Sequence, residues 1–331
     1  MTDEPSPCAA DFAGHTKHLF VDVGQRGDIE RHGLPARRSV FRKLHGAAHG
    51  ELTFDPARPS QVRHGIFARE GSFPCWIRFS SDTPPDFDDD KNGTNGVAIK
   101  IFGVADEPTL AGHDRDIPNV DLLLQNHPVF FVDTGRDMCM FTDLAFKGRV
   151  EEWYAANPRT RDILEAMAHR VDSLLASPYW SVLPFALGGD RAAKYLLRPV
   201  RSADLPVATG PNRLGEDLAA RLRTSDAEFD LFLQVADKTG LPVDRATIEW
   251  GEAEAPPVKV ARLRLARQDI RAGGQAAYGE TLAFDTWRTL PANAPLGSIA
   301  ESRRRAYPAS AALRHAVNGE SDAEPDVPRL P

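Results

Sequence analysis

Between Gly50 and Asp133 the sequence contains five short apolar runs, "GELTFD", "PCWIRFS", "NGVAIKIFGV", "NVDLLLQN" and "PVFFVD", each bounded by Gly, Pro, Asn or Asp. Runs this short and this regularly punctuated read as strands, and strands at this spacing suggest a β-barrel. After a helical region in which Ile163, Met167, Val171 and Leu174 recur near the 3.6-residue period, three more strand-like runs follow, "EFDLFLQVAD", "RATIEW" and "PVKVARLRLA". The last loses its alternation after Val260, which predicts a bulge. The acidic run "SDTPPDFDDDKNGTNG" has a proline pair that cannot continue a strand and lacks the ligand spacing of a calcium loop, so it reads as a solvated loop. No internal repeat is visible. Residues 1–35 read as an N-terminal arm with one short helical stretch and residues 36–320 as a single domain. Residues 321–331 read as a disordered tail, too polar and proline-rich to pack.

With 42% hydrophobic residues in 331, the chain can bury a substantial core. Its formal net charge of −7 argues against a broad face for nucleic acid or anionic membranes, so local basic clusters need local partners. Cys8, Cys75 and Cys139 are an odd, scattered set with no CxxC pairing. They support neither a disulfide framework nor a thiolate zinc site, and they suit a reducing compartment. The N-terminus has no basic region followed by an apolar one, and no later apolar run approaches the ~20 residues of a membrane span. The expectation is a soluble cytoplasmic protein.

Four stretches carry candidate chemistry. "RKLHGAAHG" holds His45 and His49 four residues apart. On a helix both imidazoles would share a face, as in zinc sites, but Gly46 and Gly50 weaken a helix and no third ligand is evident. His45 is open to two further readings, an acid–base group or a hydrogen-bonded structural histidine. "CWIRFSS" sets Arg78 among apolar neighbours, and "LLLQNHPVFF" sets Asn126 between apolar segments. Such groups need partners, either in an internal network or at a pocket. The C-terminal "SRRRAYPASAALRH" places Arg303 four residues before Tyr307 and Arg314 seven after it. On a helix both arginines project within about 40° of Tyr307. Pro308 is expected to start or kink that helix at Tyr307. A phenol beside cations can be held as phenolate, one of the few protein ligands of haem iron, whereas the plainer reading is a stacked or solvated tyrosine.

From about Arg42 to Asn318, the runs "RKLHGAAHG", "GIFAREGSFPCWIRFS", "GVAIKIFGV", "NHPVFF" and "FDTWRTLPANAPLGSIAESRRRAYPASAALRHAVN" together resemble the catalase superfamily, more closely its short, catalase-related peroxidase branch. The resemblance implies an α+β fold: an antiparallel β-barrel with flanking helices and haem buried between the barrel and a C-terminal helix. Carried over residue by residue, it makes His45 the distal histidine that moves the peroxide proton and Asn126 its amide partner, with Gln125 the alternative one position away. It makes Tyr307 the iron ligand and Arg303 the arginine that keeps the phenol ionised. Arg42, Arg78 and Arg314 become partners of the haem propionates, Ser80 a neighbour of the distal histidine, and Met138 or Phe141 the side chain stacked on the haem. The chain departs from the pattern at Ala47, where this branch often has lysine, and at Leu44, where valine is typical. It also lacks the wrapping domain and NADPH-binding region of large catalases.

The implied protein is a peroxidase or peroxygenase dependent on haem b. It cleaves hydrogen peroxide or an organic hydroperoxide heterolytically and oxidises a small organic donor, as a monomer or homodimer. Dismutation of hydrogen peroxide and rearrangement of fatty-acid hydroperoxides, as in allene oxide synthases, are the alternatives within the class. A non-enzymatic haem carrier or sensor would need Tyr307 and the arginines but has no use for His45 with Asn126.

Overall fold

A computed structural model describes residues 6–91, 93–237 and 240–329. Its described strands are β1 (Lys43–Phe54), β2 (Ser72–Ser81), β3 (Asn95–Ile101), β4 (Val120–Gln125), β5 (Tyr179–Trp180), β6 (Phe185–Ala186), β7 (Arg191–Arg201), β8 (Ala227–Asp237) and β9 (Pro257–Leu265). All pairings are antiparallel, in the order β5-β4-β3-β2-β1-β9-β8-β7-β6, and β5 pairs with β7 as well. Eight strands thereby close into a barrel, with the two-residue β6 appended to β7. Closure leaves no long free edge, and alternate residues such as Leu52, Ile77, Ile99, Leu122, Leu197, Leu231 and Leu263 pack together in the core. The expected bulge is present: Leu231 pairs with Ala261 and Phe232 with Lys259, so Val260 is the extra residue and both it and Ala261 are buried.

The helices flank this barrel. They are α1 (Pro7–Ala10), α2 (Phe12–Lys17), a π-helical segment (His18–Gln25), α3 (Arg26–His32), α4 (Gly135–Phe146), α5 (Val150–Ala156), α6 (Pro158–Met167), α7 (Arg213–Thr224), α8 (Gln275–Thr281) and α9 (Ser298–Asn318). The arm is therefore more ordered than the mixed sequence of residues 1–35 suggests. Leu19 and Val21 are buried, and α2 packs against α4 and α9. Cys8 and Cys139 form a disulfide that ties the arm to α4, while Cys75 is a buried free thiol. This corrects the expectation of unpaired cysteines and removes the argument for a reducing compartment. The two partners are 131 residues apart, a pairing that spacing alone does not reveal.

Other expectations are corrected too. "PVFFVD" and "RATIEW" are irregular segments rather than strands, and they meet each other: the Asp133 carboxylate accepts from the backbone N–H and hydroxyl of Thr247. The helix containing Ile163 stops at Met167, before Val171 and Leu174. The acidic loop is anchored, because Asp89 pairs with Lys43 and Asp90 with the buried Arg213. The tail packs at Glu324, whose carboxylate is 1% exposed and meets Lys100 at 2.6 Å and Arg288 at 3.3 Å. A polar tail can be drawn in where buried cations await it. Among the described residues no helix is long and apolar enough to cross a membrane.

Candidate active site

A cavity of about 440 Å³ lies between the barrel wall and α9. Helix α9 runs through Pro308, so it does not start at Tyr307. The proline costs about 3 kcal/mol inside a helix, and this is offset by packing of α9 on α2 and α4. Arg303, Tyr307 and Arg314 share one face and line the cavity, as the helical arithmetic requires. The Arg303 guanidinium carbon stands 5.9 Å from the Tyr307 ring centre and 5.7 Å from that of Phe130. The Tyr307 phenol oxygen makes no hydrogen bond among the described residues. Met138 and Phe141 line the cavity from α4, and Thr16, Phe20 and Val21 line it from the arm, so most of its wall is apolar.

On the barrel side, strand parity selects the lining. Arg78, Ser80 and Asp82 lie two residues apart on and just beyond β2, and all three face the cavity, whereas Ser81 faces away. Arg78 belongs to a cationic cluster. Its Nη2 meets Glu280 Oε1 at 3.0 Å, Arg38 Nη1 meets Glu280 Oε2 at 2.6 Å, and Arg314 Nη1 donates to the Glu280 backbone carbonyl at 2.5 Å. Burial pushes the Glu280 carboxyl up, but Arg78, Arg38 and Arg314 outweigh it and hold the group down to about 2. Burial pushes Arg38 well below its ordinary value, and Arg78 and Arg314 add to this against Glu280. Two guanidiniums thus share the Glu280 carboxylate while Arg314 meets Glu320 Oε2 at 3.3 Å, and the Nε atoms of Arg78 and Arg314 have no hydrogen-bond partner among the described residues. The cluster is built to receive further anionic groups.

Three residues expected at the site are elsewhere. His45 is the bulged residue of β1, since Leu44 pairs with Ser80 and Gly46 with Phe79. Its imidazole is 1% exposed and turned to the far face, with Nε2 2.5 Å from Ser81 Oγ and Nδ1 3.8 Å from Asp89. Desolvation pushes it down to about 4, with Asp89 opposing and Lys43, Arg78 and Arg213 adding. These contacts match the plainer reading, a hydrogen-bonded histidine. His49 is half-buried against the Trp76 ring, and no metal group forms from this pair among the described residues. Asn126 is likewise turned away: its Oδ1 accepts the Asn95 N–H at 2.8 Å and its Nδ2 meets His169. Gln125, one position earlier, lines the cavity instead and donates to the Val129 carbonyl at 3.2 Å. Arg42 pairs with Asp28 at 2.5 Å, away from the cavity.

Arg38 and Phe41, four positions before Arg42 and His45 respectively, line the cavity instead. Phe41 has φ +51°, and its ring packs so closely on Gly96 that a Cβ there would lie 2.6 Å from a ring carbon. Val182, the other described non-glycine residue with positive φ, also lines the cavity. Strain collected at one cavity is a mark of a functional site. Strand parity after Ser80 could have revealed Asp82. Nothing in the sequence signals the left-handed turn at Phe41 or the bulge at His45, which together displace the motif.

The position of His45 leads to a prediction. Because its folded pKa lies below the ordinary 6.5, the unfolded chain binds the extra proton between these values. Its contribution is complete above pH 6.5 and is lost as pH falls to about 4, on the order of 3 kcal/mol. His45→Ala should flatten this acid limb in urea titrations while leaving the cavity's chemistry intact.

No family model matches the chain. It is 27% identical over 302 residues to the catalase-related peroxidase of Mycolicibacterium paratuberculosis (strain ATCC BAA-968 / K-10), covering 86% of this chain and 92% of the relative. The fold is similar to a fungal catalase solved at 1.9 Å (TM-score 0.68, 17% identity, 90% of this chain and 64% of that one). It is also similar to a bacterial catalase (0.67, 16%, 92% and 62%) and to catalase A from Saccharomyces cerevisiae (0.66, 17%, 90% and 66%). The chain thus spans a little under two thirds of each of these catalases and nearly all of the short relative. With the closed barrel, the flanking helices and the Arg303–Tyr307–Arg314 face of α9, these likenesses give the chain the fold of the catalases and make it similar, over most of its length, to a short catalase-related peroxidase.

Proposed function

We propose that the protein is a haem-dependent peroxidase that uses hydrogen peroxide or an organic hydroperoxide to oxidise a small organic donor. The observation that carries this is the pairing of an unbonded phenol, Tyr307, with the Arg38–Arg78–Arg314 cluster on the wall of one apolar cavity. This donor set fits haem b: Tyr307 would hold the iron, with Arg303 beside it, and the three arginines would receive the propionates. Met138, Phe141 and Phe130 would flank the ring. Bound there, haem supplies the two-electron cleavage of a peroxide O–O bond. The chain's own part is to exclude water with the apolar wall and to orient the peroxide from Gln125 and Ser80, both on the barrel side. Neither can accept a proton at neutral pH.

Carrier or sensor function is favoured by one observation, that no imidazole lines the cavity among the described residues. The experiment that separates the readings supplies hydrogen peroxide to haem-loaded protein and follows oxygen release and oxidation of a phenolic donor together. Donor oxidation exceeding oxygen release is the expected result. Vigorous oxygen release without donor turnover would make it a catalase. A Soret band with neither would make it a carrier, and the absence of a Soret band after haem-supplemented expression would overturn the haem assignment.

A further inference from the structure

We infer that Asp82 is the proton acceptor of this cavity, taking over on the barrel wall the task that a distal histidine would perform. The inference rests on the haem-peroxidase reading above. Among the described residues lining the cavity, the titratable groups are Arg38, Arg78, Arg303, Arg314, Tyr307 and Asp82, and Asp82 is the sole carboxylate. Arginine stays protonated at any working pH and the phenol is assigned to the iron, which leaves one group able to take a proton and give it back. Asp82 lies two residues beyond Ser80 on the same face, extending the β2 ladder through its N–H to the Thr94 carbonyl at 2.9 Å.

Its Oδ1 accepts the Phe41 N–H at 3.3 Å, and its Oδ2 has no hydrogen-bond partner among the described residues. The left-handed backbone of Phe41 is thus bonded directly to the carboxylate. Asp82 is solvent-exposed and lines the cavity. Desolvation by the surrounding protein raises its pKa from the ordinary carboxylate range, opposed by the Phe41 N–H and the Arg42 guanidinium, and this makes it a better base.

In the step assigned to it, Asp82 accepts the proton of the near peroxide oxygen and returns it to the far one. The O–O bond breaks with its electron pair on the far oxygen, which leaves as water from hydrogen peroxide or as an alcohol from an organic hydroperoxide, and the near oxygen takes up two electrons and two protons to become a further water. An organic donor of the proposed function later returns the two electrons. Asp82 ends as it began, with no net gain of proton or electron.

The test uses the full chain loaded with haem. Asp82→Asn keeps the size and the acceptor for Phe41, so the Soret band and haem affinity should match those of the parent protein. Hydrogen cyanide binds haem as the anion and must lose a proton on capture, so it reports on the acceptor without turnover. Cyanide association and peroxide reaction should both slow by about 10²–10⁴-fold in Asp82→Asn. In Asp82→Ala, added acetate should restore part of the cyanide rate. Rates within about threefold of the parent protein in both variants would overturn the assignment. A parent protein that takes up haem and captures cyanide but never reacts with peroxide would overturn the proposed function and leave the Asp82 proton transfer to be judged on cyanide alone.

Discussion

Tyr307→Phe is expected to abolish stable haem retention, raising the haem dissociation constant at least about 10²-fold, or about 2.7 kcal/mol. The substitution removes a single oxygen that makes no hydrogen bond among the described residues, so stability of the haem-free chain should change little. The ring contact with Arg303, at 5.9 Å, is kept. Competition of bound haem with a haem-binding acceptor protein, followed at the Soret band, gives the ratio. An unchanged haem affinity would show that the phenol is a stacked tyrosine after all. Loss of haem with an unchanged urea midpoint for the haem-free protein separates ligation from folding.

The second large effect is expected at Lys100, far from any assigned chemistry. Its Nζ meets Asp121 Oδ1 at 2.7 Å and Glu324 Oε1 at 2.6 Å, and all three side chains are at most 1% exposed. Arg288 completes the group, 3.2 Å from Asp121 and 3.3 Å from Glu324. Lys100→Met leaves two buried carboxylates facing one guanidinium, and breaking a buried pair in this way costs about 3–5 kcal/mol. Burial already pushes Asp121 up, and in the neighbouring Asp285 it raises the carboxyl to about 6, so the site has little capacity for further unpaired charge. The expected result is a large drop in unfolding free energy, measured in urea, together with faster proteolysis of the tail around Glu324. A loss under about 1 kcal/mol would mean that the tail ion pairs contribute no net stability.

Much of the barrel was legible because alternation is a local property. "PCWIRFS", "NGVAIKIFGV" and "NVDLLLQN" each put apolar residues on one face at period two, and each became a strand. The same logic failed at "PVFFVD", whose apolar residues pack below α4 and against the segment around Ala246 rather than in a ladder. Strand β7 was missed because "RAAKYLLRPVR" mixes charge with apolar residues, and its lysine is buried over the Trp250 ring. In the site, the helix-borne residues were legible by angle, and Arg78 and Ser80 by parity. The same parity reaches Asp82, whereas Arg38 and Phe41 were not legible, and the Cys8–Cys139 bond and the packed Glu324 join residues that no local rule connects.

The sequence by itself determined the closed sheet, the polar face of α9 with Arg303, Tyr307 and Arg314, and the resemblance to catalases, because each follows from short-range periodicity or ordered motifs. The tertiary structure decided which residues complete the opposite wall. One extra residue at His45 and one left-handed residue at Phe41 reverse which side chains face inward, and a single-residue change of parity moves a side chain to the other face of a sheet. The histidine that motif order offers as the acid–base group is therefore buried against Ser81, and a carboxylate that looked like part of a solvated loop stands at the cavity instead.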